Sequence, residues 1–231
     1  MTALIQTDNL CRYFQQSDEI IVKAVDGISI SIEPGEFTAI IGPSGSGKTT
    51  LLHMIGGLDK PTSGTVMLNG LNIAHMSAGE LSDFRRDHIG FVFQAYNLIP
   101  VLSAEENIEY VMLLQGVDAT TRKKRVAETL QQVGLSDYAD RRPNKLSGGQ
   151  QQRVAVARAM ASHPDIILAD EPTANLDSKT GIALLDVMKE LNETLGMTFV
   201  FSTHDEKIMK RATRLIQVVD GRIESDEKKS L

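Results

Sequence analysis

Cysteine is nearly missing from this 231-residue chain: Cys11 is the only one. No disulfide can form within the chain, which suits a reducing compartment. A basic surplus is missing too. The net charge is −6, which argues against a protein that coats nucleic acid, so no nucleic-acid partner is expected. A few oriented amides and one lysine still suffice to hold a single phosphate group. No stretch reaches the about 18 consecutive apolar residues that a membrane-spanning helix needs. The opening MTALIQTDNL has neither a basic start nor a continuous apolar segment, and it does not read as a signal peptide. These absences point to a soluble cytoplasmic protein. Internal repeats and low-complexity linkers are also lacking. What is present is an apolar content of 42%, ordinary for a globular core, in a length that fits one large or two small domains.

Strand signals come first. Leu4–Phe14 and Ile20–Ile32 are rich in β-branched residues, and Ile28–Ile32 alternates with period two. After the Pro34-Gly35 turn, the short apolar run Phe37–Ile41 leads into a glycine-rich loop and a helix over Thr49–Ile55, stopped by Gly56-Gly57. Strand, glycine loop and helix form a mononucleotide-binding unit. Thr65–Leu68 and Ile89–Phe93 read as further strands. The middle of the chain has helical spacing over Ala104–Gln115, Thr120–Val133 and Gln150–Ala161. Its charge run TRKKR, Thr121–Arg125, reads as a solvated helix face. Strands return at Ile166–Ala169, Thr198–Ser202 and Leu215–Val219, with an amphipathic helix over Lys179–Leu195. Asp220-Gly221 reads as a hairpin turn, and the polar tail from Asp226 as frayed.

Three motifs carry chemistry. GPSGSGKT, Gly42–Thr49, fits the phosphate-loop pattern. Its glycines let successive amides face phosphate oxygens. Lys48 supplies a point charge to the β- and γ-phosphates, the Thr49 hydroxyl can ligate Mg²⁺, and the helix start adds its positive end. IILADE, Ile166–Glu171, is a buried-type strand ending in two acids. Side chains alternate along a strand, so Asp170 and Glu171 are expected to point different ways. One can reach the Mg²⁺ shell while the other faces the attacking water, as phosphoryl transfer requires. LSGGQ, Leu146–Gln150, opens a helix, with Ser147 and Gln150 placed for a capping box. Two glycines in a first turn weaken a helix by up to about 1 kcal/mol each. Their bare amides beside a serine hydroxyl make a second phosphate site, serving the nucleotide of a partner chain. His163 reads as a turn residue, and His53, His75 and His88 show no metal-ligand spacing. Cys11 reads as a small buried residue.

In this order, with Gln94 and His204 each following a strand, these motifs resemble the ABC ATPase family over nearly the full length. The resemblance implies an α/β fold: a P-loop NTPase core of mixed sheet and flanking helices, with an antiparallel β subdomain and a helical insert. Residues 1–94 and 161–231 would form the core with the β subdomain, and approximately 95–160 the helical part. It implies ATP hydrolysis with Mg²⁺ as cofactor. Gly42, Pro43, Ser44, Gly45, Ser46, Gly47, Lys48, Thr49 and Thr50 would bind the nucleotide. Thr49, Gln94 and Asp170 would serve the metal, and Gln94 would also sense the membrane partner. Glu171 resembles the catalytic base or water-positioning residue, and His204 the residue that contacts the γ-phosphate. Ser147, Gly148, Gly149 and Gln150 would bind nucleotide held by a second copy in a homodimer. Asp177 matches the D-loop, where Asn175 departs from the usual pattern. Tyr13, beside Phe14, lies where an aromatic stacks on adenine.

The stretches IGGLDKPTSG (Ile55–Gly64), FRRDHIGFVFQ (Phe84–Gln94), YNLIPVLSAEENIE (Tyr96–Glu109) and LSGGQQQRVAVARA (Leu146–Ala159) resemble most the subgroup of lipoprotein-releasing and macrolide-export ATPases. The cell-division ATPase, which regulates a membrane partner without moving cargo, is the alternative. Such a chain is peripheral on the inner face of the cell membrane. Integral-membrane transporter subunits would be contacted near Gln94 to Leu102, where Leu98, Ile99, Val101 and Leu102 are either interface or local core. A chromosome ATPase would insert a long coiled coil before the signature, and no sustained heptads are present.

Overall fold

The computed structural model describes residues 3–16 and 20–229. Its centre is a six-stranded sheet. Strand β4 (Phe37–Ile41) lies between β10 (Arg214–Val219) and β9 (Phe199–Thr203), all parallel. The sheet continues through β8 (Ile166–Asp170) to its edge strand β7 (Ile89–Phe93), again parallel. The other edge is β11 (Arg222–Lys228), antiparallel to β10. The sequences FTAII and FVFST are buried almost throughout, as expected of strands covered on both faces. Rings from both strands meet in the core, with Phe37 and Phe201 centred 4.6 Å apart.

A second, antiparallel sheet has the order β2 (Ile21–Ile28), β1 (Ile5–Gln15), β5 (Ser63–Leu68), β6 (Leu71–Asn72), with β3 (Ser31–Ile32) also on β1. The single strand expected over Ile20–Ile32 is therefore two. Thr7 is the reason: its hydroxyl donates to the Ile28 carbonyl and accepts from the Ile30 amide, holding the chain out of regular pairing between them.

Helix α1 (Lys48–Ile55) follows β4. Helix α2 (Ala78–His88) was not anticipated. After β7 come α3 (Ala104–Leu114), α4 (Ala119–Gln132) and α5 (Gly148–Ala161); α3 and α5 begin on Ser/Glu and Ser/Gln capping boxes and α4 on Asp118. They pack on one another, and α5 also lies against β7. That approach is close: a methyl group at Gly90 of β7 would stand 2.4 Å from the Ala159 carbonyl oxygen. One apolar cluster joins Met112 of α3, Leu130 of α4 and Val154 of α5 to Val92 and Phe199 of the sheet. On α4 the charge run leaves Lys123 and Lys124 exposed, while Arg122 binds Glu109. Helix α6 (Ser178–Leu195) connects β8 to β9, and the short α7 (Glu206–Arg211) connects β9 to β10.

The Asp220-Gly221 turn forms, with both residues at positive φ. The tail after it is not frayed as far as Lys228, because Asp226 receives two 2.7 Å bonds from the buried Arg214 guanidinium. Residues 230 and 231 of that expectation lie outside the described residues.

Candidate functional site

The glycine loop runs from the end of β4 into α1, and three neighbours shape it. A methyl group at Gly42 would lie 2.1 Å from the Val218 carbonyl oxygen, and one at Gly47 2.0 Å from that of Ala24. Gly42, Gly45 and Gly47 all have positive φ, so the loop needs glycine both for conformation and for room. The Gly221 amide pins the loop from outside by donating to the Ser46 carbonyl at 3.0 Å. Lys48, almost fully buried, folds its ammonium back onto the carbonyls of Gly42 and Pro43 at 2.9 and 2.8 Å. The Ser46 hydroxyl is buried with no partner, an orphan donor in a cradle of amides. Pro43 and Ser44 at the loop tip are exposed, and Thr50 is half-buried on the first turn of α1. This arrangement fits an anion.

Beside the loop, oxygens converge. The Thr49 hydroxyl donates to Asp170 Oδ1 at 2.9 Å and lies 3.4 Å from the Ser202 hydroxyl. No cluster of three or more His, Cys, Asp or Glu able to cage a metal occurs among the described residues. One carboxylate and one hydroxyl suit a hard ion such as Mg²⁺, which keeps waters and phosphate oxygens as its other ligands.

Glu171, just past β8, has φ 44, a costly conformation for a non-glycine residue. Its amide donates to the Ser202 carbonyl at 2.9 Å, and its side chain engages the end of β9. Thr203 Oγ1 donates to one carboxylate oxygen at 3.2 Å, and His204 Nδ1 lies 2.6 Å from the other. Asp170 and Glu171 thus contact different groups, one at Thr49 and one at His204. The left-handed turn at Glu171 contributes to this separation along with strand alternation. His53, on α1, which shows no metal-ligand spacing in the sequence, comes within 3.9 Å of Asp170.

The signature segment lies elsewhere. Helix α5 rests on β7, three strand spacings from β4, or roughly 14 Å. No hydrogen bond or ion pair among the described residues joins Ser147–Gln150 to the glycine loop. Ser147 accepts from the Gln150 amide, and Gln150 Oε1 accepts from the Ser147 amide. The first-turn amides of Gly148 and Gly149 have no partner within the helix. Packing also accounts for Gly149: a methyl there would stand 2.1 Å from Thr180 Cγ2. Thr180 belongs to the first turn of α6, which Asp177 caps through the Lys179 and Thr180 amides. The Thr180 hydroxyl, and then those amides, hold the Asp177 carboxyl below the ordinary carboxylate range.

Gln94 follows β7 and is exposed. Its side-chain amide donates to Asn175 Oδ1 at 3.4 Å, and Asn175 Nδ2 donates to the Gln94 carbonyl at 3.0 Å. Gln152 and Arg158 of α5, not singled out from the sequence, bond the carbonyls on either side. Beyond them, Leu98 packs on the core, and Asn107, fully buried, binds both the amide and carbonyl of Ile99. Val101 stands free at 69% exposure. A groove beside this loop is lined by Leu58, Phe91, Phe93, Asn97, Leu114 and Arg158, among others.

The Tyr13 hydroxyl is engaged. It donates to Asp26 at 2.5 Å, and Asp26 also binds Arg222. The Tyr13 hydroxyl, and then Arg222, hold the Asp26 carboxyl down to about 2. Phe14 is the more exposed ring, covered on one side by the Arg12 guanidinium. Cys11 is half-buried, and its sulfur accepts from the Gly27 amide. His163 has φ 52 in the turn after α5.

With this geometry in hand, the comparisons are specific. The ABC transporter family model matches residues 25–174. An ABC transporter ATP-binding protein of Thermotoga maritima is 49% identical over 92% of this chain and 91% of its own length. The macrolide export ATP-binding/permease protein MacB of Hyphomonas neptunium is 44% identical over 96% of this chain, which spans only 34% of that longer protein. Among solved structures, a dimeric post-hydrolysis state of the ATP-binding cassette MJ0796 bound to ADP and Pi matches with a TM-score of 0.89 at 44% identity, covering 98% of this chain and 100% of that one.

Proposed function

This chain belongs to the ABC transporter family as an ATP-binding, ATP-hydrolysing subunit, and from that premise we propose that two copies close head to tail around two ATP molecules to drive separate membrane subunits. The observation that carries this reading is the separation within one chain of the loop Gly42–Thr49 from the helix start at Ser147–Gly149 on the β7 side of the sheet, each of which we read as an anion site. Neither surrounds a phosphate chain alone, and a second copy turned head to tail supplies the missing half. The dimeric MJ0796 cassette bound to ADP and Pi supports this arrangement by likeness.

In the closed dimer, Lys48 leaves the carbonyls of Gly42 and Pro43 for the β- and γ-phosphate oxygens, while the loop amides and Ser46 hold the remainder. Thr49, Asp170 and Gln94 would hold Mg²⁺, which would supply positive charge to neutralise that developing on the transferring phosphoryl group. Glu171 orients the attacking water and accepts its proton. His204 leaves Glu171 to contact the γ-phosphate. Ser147, Gly148, Gly149 and Gln150 of one copy approach the nucleotide held by the other, and Asp177 lies at the same seam. Phe14, with the freer ring, is the better candidate than Tyr13 for stacking on adenine.

The membrane partner docks in the groove between Leu58, Phe93 and Leu114, which Asn97 of the loop after Gln94 also lines, and the exposed Val101 adds an apolar contact. Leu98 and Ile99 hold that loop rather than meet the partner. The likeness to MacB, a longer export protein that joins an ATP-binding part to a permease part, supports an export-type machine at a membrane.

A mixing experiment tests the sandwich. Lys48→Ala and Ser147→Arg chains should each lack ATPase activity. Mixed, they should recover part of it, because one site of the heterodimer combines an intact Lys48 with an intact Ser147. Mixtures as inactive as the separate variants, at concentrations where wild type turns over, would refute the shared site.

A further inference from the structure

We infer that Asn175 is a positioning residue for Gln94, holding the end of β7 to the segment that carries Glu171 and Asp177. This rests on the reading of Gln94 as a residue acting at the metal and phosphate. Asn175 reaches residue 94 twice: its Nδ2 donates to the Gln94 carbonyl at 3.0 Å, and its Oδ1 accepts from the Gln94 side chain at 3.4 Å.

The neighbouring bonds show why this one matters. Every carbonyl from Phe93 to Asn97 is occupied. Gln152 takes that of Phe93, and the Asn97 amide takes that of Ala95. Arg158 takes those of Tyr96 and Asn97. Tyr96 and Asn97 sit at φ 58 and 50, two consecutive non-glycine residues in the left-handed region, a bend that survives only where its surroundings over-determine it. Burial lowers the affinity of the Arg158 guanidinium for its proton, and no carboxylate pairs with it among the described residues, so the carbonyls are its partners.

Gln152 and Arg158 both come from α5 and fix the flanks of the stretch. Among the described residues, Asn175 alone ties residue 94 by side-chain hydrogen bonds to the loop after β8. Its own backbone is set by two turns, Ala174 amide to Glu171 carbonyl at 3.2 Å and Leu176 amide to Thr173 carbonyl at 3.0 Å. A short rigid path therefore runs from Glu171 through Asn175 to Gln94. The backbone bond is the shorter of the two. When the Gln94 amide swings away toward nucleotide, the 3.4 Å bond breaks and the 3.0 Å bond keeps the pivot in place.

Asn175→Asp keeps the shape but turns a donor into an acceptor facing the Gln94 carbonyl. In the nucleotide-free chain, deuterium uptake of peptides covering residues 93–98 should speed up, with the melting temperature unchanged. In steady state, kcat should fall roughly three- to tenfold, the scale of one net hydrogen bond, with KM for Mg-ATP nearly constant. Added to Gln94→Ala, the change should cause no further loss of kcat, because the side chain it positions is gone even though the backbone carbonyl of residue 94 remains. Unchanged uptake and kcat, or a loss that multiplies fully onto Gln94→Ala, would overturn the inference. If Gln94→Ala itself leaves kcat at the wild-type value, the reading of Gln94 fails and the inference fails with it. That outcome is distinct from an active role for Gln94 with a silent Asn175.

Discussion

Two glycines of the phosphate loop separate conformational cost from steric cost. Gly45 has φ 79 and open space where a methyl would go. Gly47 has φ 102 and the Ala24 carbonyl oxygen 2.0 Å from that point. Alanine at Gly45 should therefore cost only the left-handed penalty, about 1–2 kcal/mol. Alanine at Gly47 adds a clash with backbone of β2, which cannot rotate away as a side chain can. Overpacking of this kind adds about 1–3 kcal/mol, so the total is about 2–5 kcal/mol. The strain should appear in binding too, since the shift moves Lys48 and the amides beside it. Urea unfolding of both variants, followed by titration with a fluorescent ATP analogue, measures both effects. Gly47→Ala should be the less stable by at least about 1 kcal/mol and should bind nucleotide more weakly than Gly45→Ala. Equal stability of the two variants would refute the reasoning, because it would mean that the β2 contact does not constrain the loop.

Acid should expose the Tyr13–Asp26–Arg222 network. Asp26 titrates at about 2 in the folded chain against an ordinary 3.8, so its contribution is complete above the ordinary value and is lost as pH falls through the folded one. The stability difference between wild type and Asp26→Asn should stay constant from neutral pH down to about 5 and close progressively below it; a gap that persists at the acid end contradicts this. Asn107→Leu should cost about 2–4 kcal/mol, because it strands the Ile99 amide and several carbonyls of the loop. Chemical denaturation checks it, and a loss under about 0.5 kcal/mol, the size of an ordinary surface change, would contradict the buried network.

The parts of the fold legible in sequence were those whose pattern is local. Ile166–Ala169 is a continuous apolar run and Phe37–Ile41 one interrupted only by Thr38, and Gly42–Thr49 has a spacing that few other structures require. Helix α2 hid because it buries only Leu81 and Phe84, although its Ser77 and Glu80 capping box was available to read. Strand β11 reads as a polar tail because what holds Asp226 is Arg214, on the neighbouring strand. The choice between Tyr13 and Phe14 depends on which face each occupies. β1 has register shifts between Leu10 and Cys11 and between Arg12 and Tyr13, and each bulge disturbs the alternation that would settle it. Asn175, Gln152 and Arg158 act on carbonyls 81, 59 and 62 positions away, and no local pattern announces such bonds. The glycine pair of the signature reads as a phosphate site, and the Thr180 side chain, 2.1 Å from where a methyl at Gly149 would stand, is a second reason for glycine there that no local pattern shows.

The central claim is that ATP holds two copies of this chain together until Glu171 lets it be hydrolysed. Glu171→Gln keeps the side chain's shape and removes the base, so binding should outlast chemistry. Size-exclusion chromatography with light scattering, run on Glu171→Gln with and without saturating Mg-ATP, measures this directly. The account predicts a monomer without nucleotide, a dimer with it, and a return to monomer when Ser147→Arg is added to the same chain. A monomer at saturating ATP, or a dimer indifferent to both ATP and Ser147→Arg, would contradict it.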